Sequence, residues 1–369
     1  MLNKFNRIKS IYIYSLIISI FVILLSTQHL SANNNNQNNQ NKNDIYTINL
    51  ENYIYEKLNL KNNEYKFKKA NNNPYGNIIF AYTLYKAKGT LLININIPQN
   101  YIGYRILEQV KEISDISIGY DNTVLLNTLA GKNKFYYLNP TGTFEFDSPS
   151  FNTTTISSFP TGFYWIGFKY SDPKTKKLEN KNQYLFTYIN QKISSYDISF
   201  INSKIKSKTF NIIVLNQDNI IIQEYNNFLS NIYLINLKTK NIKEIEKKQE
   251  IIIGNFIRNN FYYLKYNPQN QKLTIKEINI NNLTIEDKIS IEYQQDNFKI
   301  FSLNIGFNEF LINKGDKEGN IKSIFYDLEG KEINNIQTPK VYPTLYSTPN
   351  KRGFYYLFKN AIEIHNLNY

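Results

Sequence analysis

Chemistry in this chain would have to be done by carboxylates, hydroxyls and lysines. There is no cysteine, and the only histidines are His29 and His365. That removes thiol nucleophiles, disulfides, cysteine-held metals and a lipid-modified N-terminal cysteine. With one histidine outside the N-terminal segment, the sequence argues against a multi-histidine zinc site and against a Ser-His-Asp triad, which would have to rest on His365 alone. What remains is a scatter of acids: Asp115, Asp121, Asp172, Asp197 and Asp218. Brought to one point, two would serve a hydrolase and three would hold calcium. Their spacing follows no ligand motif, and aspartate is commonest in turns and caps. Asp316-Lys317-Glu318-Gly319-Asn320 lacks the alternating acids and closing glutamate of a calcium loop, so a hairpin turn is expected there. The sequence therefore assigns no catalytic, cofactor-binding or metal residue, and its binding residues are open.

The basic residues are the other resource. The formal net charge is +13; Lys4, Arg7 and Lys9 lie in the first 32 residues, which hold no acid, leaving +10 for the rest. Lys204-Ile205-Lys206-Ser207-Lys208 and Lys247-Lys248 are the densest patches. Such a balance suits an anionic polymer, but the lysines are spread along the chain as solvated strand faces and turns would be. Nucleic acid is not an expected partner.

The elements that position these groups are strands. Tyr (31) and Phe (24) dominate the aromatics, and both favour pleated, half-buried surfaces. Phe261-Tyr262-Tyr263-Leu264 has near-copies starting at Asn77, Thr123, Phe163, Phe210, Glu309 and Phe354, at steps of 40 to 51 residues. Each is read as the second strand of a repeated unit. The unit at 250–289 shows the plan: Glu250–Phe256, Phe261–Tyr266, Lys272–Ile278 and Leu283–Ile289, joined by short polar turns with glycine or asparagine where positive backbone angles are needed. The runs do not alternate, so both faces must be covered. Trp165 falls in this series and is expected in the core. Residues 51–76 fit a strand or one helical turn equally. After Phe354 there is room for only one further strand, Ala361–Leu367, and the spare strand Ile45–Leu50 can complete that last unit.

In period and strand order the chain resembles the seven-bladed β-propellers of the broad WD40-like and YVTN-like kind, over about residues 45–369. The Trp-Asp and Gly-His signatures, the tryptophan docking repeats and the sialidase-type Asp box are absent. The resemblance implies an all-β ring of about seven four-stranded antiparallel blades and carries over no functional residue. The rival architecture is a plain sandwich or barrel.

Residues 1–32 read as an export signal. A basic start precedes the uncharged run Ile11–Leu25, which as helix would rise about 22 Å, short of a ~30 Å hydrocarbon core. Cleavage is expected after Ala32, although Leu30 is poorly suited to its place; uncleaved, residues 11–25 would be an anchor and the chain's one membrane contact. Residues 33–44 are an Asn-rich spacer, expected to be disordered. The body of the protein, 45–369, is thus expected in the periplasm, cell envelope or outside the cell. Three functions follow in order. The first is a non-catalytic scaffold for another envelope protein, of which an outer-membrane assembly factor is one example by analogy of fold. The second is a hydrolase or lactonase using carboxylates, with or without calcium, at the channel mouth. The third is a surface adhesin for an anionic polymer.

Overall fold

The computed structural model describes residues 45–367 apart from breaks at 87–88, 109, 111, 129–133, 173–176, 206–208, 227–228, 268 and 294–296. The signal segment with His29 and Ala32, the Asn-rich spacer and Lys206–Lys208 lie outside the described residues.

The apolar runs become antiparallel strands. β1 (Ile45–Asn49) and α1 (Leu50–Leu58) come first. Sheet 1 is β2 (Tyr65–Asn72), β3 (Asn77–Leu84), β4 (Thr90–Asn96) and β5 (Tyr101–Leu107). Sheet 2 is β6 (Ile113–Ile118), β7 (Val124–Thr128), β8 (Lys134–Asn139) and β9 (Gly142–Asp147). In sheet 3, two short strands, β10 (Ser150–Phe151) and β11 (Ser157–Phe159), pair with different parts of β12 (Gly162–Asp172); β13 (Lys177–Ile189) and β14 (Lys192–Asp197) follow. After α2 (Ile201–Lys204), sheet 4 runs through β15 (Phe210–Val214), β16 (Asn219–Asn226), β17 (Leu229–Asn236), β18 (Asn241–Ile257), β19 (Asn260–Asn267), β20 (Lys272–Asn279) and β21 (Ile285–Glu292). Sheet 5 is β22 (Lys299–Ile305), β23 (Glu309–Gly315), β24 (Asn320–Asp327) and β25 (Glu332–Pro339). Sheet 6 is β26 (Thr344–Ser347), β27 (Arg352–Leu357) and β28 (Ala361–Asn366), with β1 added beyond β28.

The spare strand is used as expected. Ile45 lies opposite His365, and Ile48 opposite Ile362. The chain then turns directly into α1, resolving the ambiguous stretch. The Asn49 side chain accepts the Asn52 N–H at 3.0 Å and caps the helix. Leu50 and Ile54, one turn apart, bury its inner face, and Asn59 ends it in the left-handed region at φ 52°.

Sheet 4 holds two successive units because the 17-residue β18 serves both. Its first half pairs with β17 up to Gln249, opposite Ser230; its second half pairs with β19 from Glu250, opposite Tyr266. One expectation is corrected here. Phe210-Asn211-Ile212-Ile213 is the first strand of its unit, and the second is β16. Two equally apolar runs flank the Asn216–Asp218 turn, and an apolar pattern cannot rank them. Leu283, expected in a strand, instead occupies the preceding turn at φ 62°.

The middle strands are apolar on both faces because neighbouring sheets cover both. Ile79 and Leu92 of sheet 1 pack with Ile116 and Leu126 of sheet 2. Leu125 and Phe135 of sheet 2 pack with Trp165 and Phe186 of sheet 3. The series continues through sheets 4 and 5, then to Leu311 with Phe354. Finally Tyr355 and Ile364 of sheet 6 pack on Phe80 and Ile93 of sheet 1. The last sheet meets the first, so the array is a closed ring, with first strands β2 and β6, β18 and β22, and β22 and β26 side by side.

Candidate functional site

The sequence-selected acids are not brought together. Asp115, on β6, accepts the Ile116 N–H at 2.9 Å and the Ile156 N–H at 2.5 Å, and pairs with the Lys69 ammonium. It thereby joins β2, β6 and the segment before β11. Asp121 accepts the Thr123 hydroxyl at 2.6 Å within a turn. Asp197 accepts from Asn182 Nδ2 at 2.7 Å and Ser199 N–H at 2.8 Å; burial raises its pKa, but these bonds outweigh it and leave the carboxyl below its ordinary range. Asp218 holds Lys238 at 2.8 Å. Asp172 ends β12, opposite Lys177. Asp316 closes a hairpin, accepting from Glu318 and Asn320 N–H, with Gly319 at φ +87°. Among the described residues no group of three or more histidines or acids is placed to hold a metal.

His365 is structural: its Nε2 lies 2.6 Å from Glu363 Oε1, and its ring stacks on Phe354 at 4.5 Å. Trp165 is fully buried, as expected, stacked on Phe135 and donating Nε1–H to Ser150 Oγ at 3.0 Å. The Lys247-Lys248 patch is an exposed strand edge: Lys247 sits 3.7 Å from Glu244, and Lys248 donates its N–H to Asn231.

The middle of the ring is closed on the side of the first-to-second strand turns. Tyr75 packs edge-on against Tyr120, Tyr120 against Phe256, and Tyr75 against Phe307. Arg258 crosses from sheet 4, donating its N–H to the Tyr75 hydroxyl at 3.2 Å and laying its guanidinium 4.7 Å from the Phe307 ring. Burial pushes the Tyr120 hydroxyl well above its ordinary pKa. A small cavity of about 160 Å³ beside this plug is lined by Asn72, Asn255, Asn304 and Thr344, without an acid.

The largest of the described cavities, about 760 Å³, lies on the turn side, where β1 and β28 meet the flanking sheets. Asn100, Asn308, Asn350 and Asn366 supply carboxamides, and Lys351 and Arg352 supply charge. No described acid lines it. Arg352 Nη1 reaches back 3.4 Å to Glu309, which is fully buried, and Lys351 Nζ reaches the Pro98 carbonyl at 2.5 Å. Amide and cationic groups of this kind bind polar or anionic groups; they offer no nucleophile paired with a base. Its residues come from both ends of the ring, and no sequence signal links them.

The turn face has a recurring part that the aromatic pattern did not reveal. Asn96, Asn139, Asn236, Asn279 and Asp327 each end a third strand, and each side chain accepts an N–H two or three residues on. Asn73 and Asn216 do the same at first-to-second strand turns and also reach the next unit, donating to Gly119 O at 2.9 Å and Ile280 O at 2.6 Å.

No family model matches the sequence, and no curated protein matches it. Solved structures do. The β-propeller domain of the Trilobed protease from Pyrococcus furiosus aligns at TM-score 0.50 and 7% identity, covering 80% of this chain and 90% of that one. An uncharacterized protein from Listeria monocytogenes aligns at 0.51 and 13%, covering 79% and 89%. A structure from a study of two prolyl endopeptidases aligns at 0.50 and 10%, covering 79% of this chain and 46% of that one. The chain spans about half the length of the peptidase structures it matches. These likenesses concern the fold: the chain is a β-propeller.

Proposed function

We propose that this chain is an exported, non-catalytic β-propeller that works by holding other molecules, first of all another protein of the cell envelope. Residues 1–32 direct export, 33–44 form a spacer, and 45–369 form the propeller. It has about seven antiparallel blades, four-stranded except that β10 and β11 share the first-strand place in sheet 3, with sheet 4 counting as two divided between Gln249 and Glu250, and β1 completing the last. The observation that carries a binding role is the fate of the acids. Asp115, Asp121, Asp197 and Asp218 are each engaged by neighbouring donors rather than turned to a common point. The middle of the ring holds the aromatic plug of Tyr75, Tyr120, Phe256 and Phe307, and the small cavity beside it is lined by no described acid. Among the described residues no helix is long and apolar enough to cross a membrane.

The test is cross-linking of the full chain in its native envelope, followed by reconstitution with any purified partner at low and moderate salt. A discrete complex re-formed at both salts supports the scaffold. Turnover of a lactone, ester or peptide panel, without such a complex, overturns it. The cations of the largest cavity favour one second reading, an adhesin for an anionic polymer. Retention on heparin that is lost in Lys351→Gln/Arg352→Gln would support that reading; unaltered retention would count against the cavity.

A further inference from the structure

We propose that the cleft between sheets 1 and 2, around Asn94 and Tyr101, binds a single pyranose residue of a neutral saccharide. The site lies apart from the largest cavity and goes beyond the scaffold role. Its volume is about 310 Å³, at the small end of ligand pockets. Its placement follows from register. Asn96 pairs with Tyr101, Asn94 with Gly103 and Leu92 with Arg105, so all six side-chain positions share one face of sheet 1. That face looks toward sheet 2, because Ile79 and Leu92 share a core with Val124 and Leu138. These four apolar side chains form the floor.

Three features select the ligand. Gly103 leaves a gap in the wall, and the Tyr101 ring lies across it: a β-carbon there would fall 2.2 Å from the Tyr101 hydroxyl. Tyr101 is 55% exposed, so its ring is free to swing and to stack on an entering group. Asn94 Oδ1 is buried in the cleft without a hydrogen-bond partner. An unpaired buried acceptor costs free energy that a ligand O–H or N–H donor would recover. Arg105, the one charged residue in the lining, reaches the Gly142 carbonyl at 3.4 Å and Thr143 Oγ1 at 3.3 Å on the sheet 2 side. The cleft thus has an apolar floor, an aromatic lid, an acceptor at one place and donors at another. A pyranose has an apolar face and hydroxyls around its rim, which matches all four. A phenol side chain offers one hydroxyl and leaves one polar end unmatched.

Saturation-transfer NMR and titration on the full chain test the proposal. The probes are the methyl glycosides of glucose, galactose and N-acetylglucosamine, with p-cresol as the aromatic control. At least one glycoside is expected to bind in the millimolar range or tighter, roughly 10 mM at the weakest. Asn94→Leu and Tyr101→Ala should each weaken binding by about 10-fold or more. Gly103→Val, on an outer strand, should abolish it while the circular dichroism and melting curve stay unchanged. Absence of glycoside binding at about 10 mM, binding of p-cresol alone, or glycoside binding untouched by Asn94→Leu and Tyr101→Ala would overturn it.

Discussion

Asn73 donates its Nδ2 to the Gly119 carbonyl at 2.9 Å, and so ties the first turn of sheet 1 to the first turn of sheet 2. The same side chain accepts the Tyr75 N–H at 3.0 Å and the Asn77 N–H at 3.2 Å. It is 1% exposed, so water cannot replace what is lost. Asn73→Ala is expected to cost about 2–3 kcal/mol, measured as a fall in the urea midpoint. Asn216→Ala, which removes the equivalent bond to Ile280, should fall in the same direction.

Glycine is required where another strand's backbone approaches. A β-carbon on Gly353 would lie 2.2 Å from the His365 carbonyl, and one on Gly162 would lie 2.2 Å from the Tyr188 carbonyl. Gly353→Ala and Gly162→Ala should each destabilise by about 1–3 kcal/mol or more. At Gly142 the nearest atom is 4.0 Å away, so Gly142→Ala should stay within about 0.5 kcal/mol. Parallel urea titrations separate the two classes.

Burial raises the Glu309 carboxyl pKa above its ordinary range, by more than Ser347 and Arg352 lower it. The folded chain then holds this proton more tightly than the unfolded chain. Its contribution to stability is full below the unfolded pKa and is lost as pH rises through the folded one. Glu309→Gln should therefore flatten the decline in melting temperature as pH rises above the ordinary carboxylate range. Asp197 and Asp316, held below their ordinary range, act oppositely: their contribution is lost as pH falls. A decline as steep in Glu309→Gln as in the parent would refute the assignment.

Ile48 pairs with Ile362 in the strand that completes sheet 6. Ile48→Pro removes a ladder donor from β1 and should destabilise by roughly 3 kcal/mol. It should also expose β28 as a pairing edge, so sedimentation should detect concentration-dependent dimers that the parent lacks.

The fold was legible where residue type alone sets the outcome. Phe261–Leu264 and its copies are strands because aromatic and branched residues covered on both faces fit nowhere else. Ile45–Asn49 was legible as a surplus matched by a deficit. The misplacement at Phe210 came from two runs of equal apolarity separated by one turn, where register decides and composition does not. Turns were only partly legible. Lys240, Arg258, Gln271 and Leu283 take positive φ without being glycine or asparagine, since short hairpins impose the angle on whatever residue occupies it. The third-strand asparagines, from Asn96 to Asn279, were a readable second repeat that the aromatic one concealed. The largest cavity was not legible at all: Asn100 and Arg352 meet only because the ring closes.

Closure by β1 also fixes an order of events. β1 is synthesised before every other described strand, and its partner β28 after all of them. The first strand must therefore wait, unpaired, through the making of the whole ring. Joining them demands the longest loop closure in the molecule, whose entropy is met before any contact at the joint is gained. The final step of assembly should be slow and all-or-none, and the half-made ring should be the species most exposed to chaperones and to aggregation.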